Sequence, residues 1–98
     1  MCNNRPATAM TVSLEGRQIS VKGREAWALD NLLARGERGV TPIDNPAPRW
    51  SHYIFKLRGR GLVIETIDEK HQGPYSGIHA RYVLHSPVTV TDIKRAGE

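Results

Sequence analysis

The run Pro48-Arg49-Trp50-Ser51-His52-Tyr53-Ile54-Phe55-Lys56-Leu57-Arg58-Gly59-Arg60-Gly61 decides the fold. Trp50, Tyr53, Ile54 and Leu57 fall at i, i+3, i+4 and i+7, the spacing of one apolar helix stripe. Arg49, His52 and Lys56 lie on the far side, with Arg60 at its edge, and Ser51, Phe55 and Arg58 occupy one flank. The pattern predicts a helix over Pro48–Arg60, with Pro48 near its first turn and Gly59 and Gly61 ending it. Between Asn45 and Ile64 stand four cations (Arg49, Lys56, Arg58 and Arg60) and no Asp or Glu. The chain has 14 Lys and Arg against 10 Asp and Glu, so the whole formal surplus of +4 sits in that window. A helix that buries aromatics inward and turns an acid-free, cationic side outward has the footprint of a surface facing a polyanion.

Downstream, Leu62–Ile67 is rich in β-branched residues and reads as a strand. Asp68–Gly77 is full of turn formers, and His79–His85 alternates Ala80, Tyr82 and Leu84 against His79, Arg81 and Val83, a second strand. Pro87 breaks it, and Val88–Ile93 adds a short edge strand before a polar tail at 94–98. Upstream, Thr41-Pro42-Ile43-Asp44 is a helix-start signal, with a cap, a proline for the first helical position and an acid for the positive dipole end. The prolines at 46 and 48 limit that second helix to one short turn. Arg24–Arg35 reads as the first helix, its stripe formed by Ala26, Leu29 and Leu33 with Leu32, and Gly36 as its stop. Trp27 falls off that stripe, so either an N-terminal hairpin covers it or it belongs to a subunit interface. Thr11–Val21 alternates around Gly16 as that strand or hairpin, preceded by a flexible leader at 1–10. The expected fold class is α+β: one domain over 11–93 with a strand or hairpin, three helices (the second very short) and a C-terminal two-stranded wing. That is the winged helix-turn-helix arrangement.

Composition narrows the function. Ninety-eight residues make one domain. The lone Cys2 excludes an internal disulfide, the N-terminus leads into no apolar segment, and no run approaches membrane-spanning length. A cytoplasmic setting is expected. His52, His71, His79 and His85 lack tight metal-ligand spacing. Ser51 and His52 are adjacent without a third group to orient them, and Gly59-Arg60-Gly61 lacks the ending of a phosphate loop. Neither catalysis, a cofactor nor a small-molecule substrate is expected.

The run Tyr53–Thr66, followed by Arg81-Tyr82-Val83-Leu84, resembles the small winged helix-turn-helix domains common in bacteria, phages and prophages. Their pattern is a helix ending in Leu-Arg-x-x-Gly, a strand with Ile and Thr, a variable loop, then Arg-Tyr-x-Leu. The helical part is also similar to the DNA-binding domains of response regulators, and the likeness spans about residues 19–85. The resemblance implies DNA binding and a role in regulation or phage biology. It places Leu57, Ile64, Tyr82 and Leu84 in the core and gives Arg58 to the phosphate backbone or to bracing the wing. This chain departs from the pattern in its short second helix and its prolines.

Docked in a major groove, the third helix would offer Arg49, Ser51 and His52 to base edges. Lys56, Arg58, Arg60 and the wing tip, Lys70 and His71, would hold phosphates. Phe55 has three destinations: under the wing, on a thymine methyl group, or in an interface. Arg81 can pair with Glu65 across the wing. The partner expected is double-stranded DNA, with a homodimer or a protein partner supplying the rest of a useful site. The rival reading is a winged-helix module for protein contact, which the acidic wing residues Glu65, Asp68 and Glu69 favour, as would exposure of Trp27 and Phe55.

Overall fold

Apolar residues alternate around Glu15-Gly16 and build the first ribbon. In the computed structural model, which describes residues 6–42, 49–71 and 77–97 (without the side chains at 71, 77 and 78), β1 (Ala7–Leu14) pairs antiparallel with β2 (Arg17–Lys22). Glu15 and Gly16, with φ of 51° and 83°, form a two-residue turn whose twist matches that of the strands. Met10, Val12 and Leu14 share a buried face with Ile19 and Val21. The ribbon starts earlier than expected: residues 7–10, assigned to the leader, are strand, and Ala7 and Met10 bury their side chains.

The C-terminal strand, β5 (Thr89–Arg95), pairs with the other edge of β1, giving a three-stranded sheet in the order β2-β1-β5. It runs two residues into the stretch expected as tail. The helix α1 (Arg24–Arg35) packs on this sheet through Ala26, Leu29 and Leu32. Arg95 grips Asp30 of α1 with two hydrogen bonds, at 3.0 and 3.3 Å, and so ties the end of β5 to the helix. α1 passes directly into a single 3-10 turn at Gly36–Arg38.

Three helices were expected; the described residues hold two α-helices and this turn. Of the second helix, placed at Thr41–Asp44, the described residues are Thr41, without regular structure as a cap would be, and Pro42, in a turn. Ile43–Pro48 lie outside the described residues. Val40 forms a bridge with Tyr82, its N–H donating to the Tyr82 carbonyl and accepting the return bond at its own carbonyl, both at 2.9 Å. The backbone at Val40 is thereby paired with a strand of the wing, and Thr41, next in sequence, is buried.

The helix α2 (Trp50–Gly59) is the expected third helix, starting two residues later than predicted. Arg49 precedes it in a left-handed conformation, φ 68°, and its carbonyl accepts the first bonds from His52 and Tyr53. At the other end Leu62 N–H reaches back to Leu57 O and Gly61 N–H to Arg58 O. This is a Schellman ending that needs a left-handed residue, and Gly61 supplies it with φ 99°. Leu57 and Leu62, both buried, close the motif. The wing is β3 (Ile64–His71) and β4 (Gly77–Leu84), paired with Ile64 opposite Leu84 and His71 opposite Gly77. Trp50 stands at the centre of the domain: its ring lies 5.1 Å from that of Trp27 and 6.3 Å from that of Tyr82. Trp27 therefore finds its partner on α2.

Candidate nucleic-acid interface

The apolar stripe of α2 fixes which side of the helix faces out. Trp50, Ile54 and Leu57 are buried and Tyr53 is half-buried, as their spacing requires. Ser51, His52, Phe55 and Lys56 therefore share one outward face, and all four are exposed. Arg49 is exposed at the foot of the helix. No carboxylate lies on α2.

The other expected site residues go elsewhere. Arg58 turns to the wing: its Nε and Nη2 donate to Ile64 O at 3.1 and 2.6 Å, and Nη2 also reaches Thr66 Oγ1 at 2.7 Å. Its charge locks the end of α2 to β3. Arg60 pairs with Glu25 of α1 at 3.0 Å, so its charge is matched within the protein. Lys70 is exposed far along β3, on the same face of the wing as Thr66 and Asp68. The side chain of His71 and the rest of the wing tip lie outside the described residues.

The wing's opposite face holds most of its acid. Glu69 accepts from Arg81 Nε at 2.7 Å and lies 3.2 Å from His79 Nε2. Glu65 meets His85 at 2.7 Å. Arg81 stands opposite Ile67 and pairs with its diagonal neighbour Glu69 in place of Glu65, the other diagonal neighbour, which the sequence suggested, while a second guanidinium nitrogen donates to Arg38 O. The Arg81 hydrogen bond holds the Glu69 carboxyl below the usual carboxylate range, with the charges of Arg81 and His79 assisting. A carboxyl lowered in this way stabilises the fold above its unfolded pKa, about 4.3, and the contribution disappears as pH falls through the lower folded value. Comparing the native chain with Glu69→Gln in denaturant titrations should show a stability gap at neutral pH that closes in acid. A gap independent of pH would remove the ion pair from the account.

One residue of the basic surface was not visible in the sequence. Arg24, in the first turn of α1, lays its guanidinium over Trp27 at 4.4 Å and near Tyr53 at 5.9 Å. His52 meets the same Tyr53 ring edge-on at 5.9 Å. Arg24 thus extends the cationic side of α2 onto α1. A cation in the first turn works against the helix dipole, and that conflict was the signal available.

A family model described as a winged helix domain matches residues 18–94. No curated protein and no solved structure matches the chain.

Proposed function

The chain belongs to the winged helix domain family, and from that premise we propose that it is a double-stranded DNA-binding protein, a transcriptional regulator that sets α2 in the major groove. The observation that carries this reading is the outward face of α2: Ser51, His52 and Lys56 exposed together, with Arg49 at its foot and Arg24 beside it. An α-helix is the right width for the major groove, and residues of its first turns come nearest the bases. Arg49, Ser51 and His52 take the base edges in this reading. Lys56 and Arg24 take phosphates. Arg58 acts indirectly, by fixing the wing so that Lys70 and the tip can meet the backbone. Arg60, paired to Glu25, adds little. One short helix reads few base pairs, so a second copy or a partner protein completes the site.

Phe55, 71% exposed on that face, favours the rival, a module for protein contact, as do the acidic residues of the wing. Salt separates the two readings. Each phosphate neutralised releases condensed cations, so DNA affinity falls steeply as salt rises. Titrating labelled duplexes at several salt concentrations should give a steep slope for the native chain. Lys56→Ala should weaken binding to every duplex and reduce the slope by about one. Arg49→Ala should relax preference at a single base position in a random-pool selection. Retention that ignores salt and both substitutions would sink the DNA reading.

A further inference from the structure

We propose that Phe55 distinguishes thymine from the other bases by covering its C5-methyl group, an inference that rests on the DNA-binding reading above. Every other large apolar side chain of α2 is buried or half-buried, whereas Phe55 is 71% exposed. It is not stranded on a random surface. His52 lies one turn before it on the outward face, Ser51 flanks it, and Lys56 follows it. Gly59 lies one turn beyond, with open space where a side chain would stand. The ring is therefore the most prominent group on a face that is otherwise polar or cationic and carries no acid.

The surroundings choose the occupant. A purely apolar protein groove would have to desolvate the Lys56 ammonium next to the ring. A phosphate backbone would satisfy Lys56 but offer the phenyl group nothing. The major groove of DNA supplies both within one turn of a helix: phosphates at its rim and, on its floor, the thymine methyl as an apolar patch. RNA fails on both counts, because uracil lacks the methyl group and the A-form major groove is too narrow to admit the helix. Ser51, with one donor and two acceptor lone pairs, can hydrogen-bond a neighbouring base edge in the same approach.

The test compares two probes that differ only in that methyl group: a duplex of alternating dA and dT, and the same duplex with dU at every dT. The native chain, Phe55→Ala and Phe55→Leu compete for both at one fixed salt concentration and then across a salt series. The native chain should prefer the dT duplex by about fourfold for each methyl covered, the worth of one buried methyl group. Phe55→Ala should lose the preference and keep the salt slope, since a phenyl ring neutralises no phosphate. Phe55→Leu should retain most of the preference. Thermal midpoints of both variants should match the native value, because the ring supports no core. Equal affinity of the native chain for dT and dU duplexes, with a normal salt slope, overturns the role of Phe55 alone. A preference that survives Phe55→Ala does the same. If neither duplex is bound in a salt-dependent way, the DNA reading itself has failed.

Discussion

Trp50→Ala should cost the domain about 3–5 kcal/mol of stability, the range for emptying a large aromatic site in a packed core. The residue is 3% exposed and its ring is the hub of an aromatic row, 5.1 Å from Trp27 and 6.3 Å from Tyr82. Those two rings come from α1 and β4, so one side chain joins both helices to the wing. Each aromatic pair adds about 0.5–1.5 kcal/mol beyond burial, and the alanine loses both. Domains of this size hold only about 5–15 kcal/mol in total, so the variant should sit near the edge of folding. Its thermal midpoint should drop by roughly 20 °C, at about 4–8 °C per kcal/mol. Trp50→Phe, which preserves most of the stacking area, should lose much less. Denaturant titration measures both. A loss below about 1 kcal/mol for the alanine would mean that the row does not hold the domain together.

Function follows the same dependence. Trp50 is the first residue of α2, and Ser51 and His52 come directly after it. The ring that anchors the helix also sets the angle at which those side chains leave the protein. On the proposed DNA-binding reading, a destabilised Trp50 variant should therefore lose DNA affinity beyond its unfolded fraction, whereas Lys56→Ala should lose affinity without losing stability.

What could be read in the sequence was whatever a single element dictates by itself. The stripe Trp50, Tyr53, Ile54 and Leu57 has only one helical solution, and the exposed face of α2 follows from it by subtraction. Alternation around Gly16 left a strand or a hairpin open, and the hairpin formed; both wing strands were found, but β3 runs on through Asp68–His71, which read as loop. What could not be read depends on distant partners. Val88–Ile93 reads as an edge strand, but nothing local says that its neighbour is β1, some 80 residues earlier. The charge of Arg60 looked available until Glu25, 35 residues away, closed on it. Nor does anything local say that Val40, just before Thr41, pairs with Tyr82 in the wing. Of the three destinations open to Phe55, its 71% exposure removes burial under the wing; that large aromatics seek burial on average does not decide a single position.

Gly39→Ala should be nearly as damaging as Trp50→Ala, although it only adds a methyl group. Gly39 has φ 71° and ψ 178°, a region that glycine alone occupies readily. Its backbone is also pressed against β4. A Cβ there would stand 2.7 Å from the Tyr82 carbonyl oxygen, 2.9 Å from Val83 Cγ2 and 3.0 Å from Arg81 Cγ. The first of these is backbone and cannot swing aside, because it already accepts the Val40 N–H at 2.9 Å. Strain of about 1–3 kcal/mol and overpacking of similar size combine to roughly 3–5 kcal/mol. Relief would have to come from parting Val40 from Tyr82, which removes one of the contacts that seat the wing on the helical body. Hydrogen exchange tests this directly, with the Val40 and Tyr82 amides expected to lose protection before those of β1 and β2. Gly59→Ala is the control, since that glycine lies in α2 with open space around it, and alanine there should add up to about 1 kcal/mol. If Gly39→Ala leaves stability and both amides unchanged, the contact between the turn after α1 and β4 is not what seats the wing.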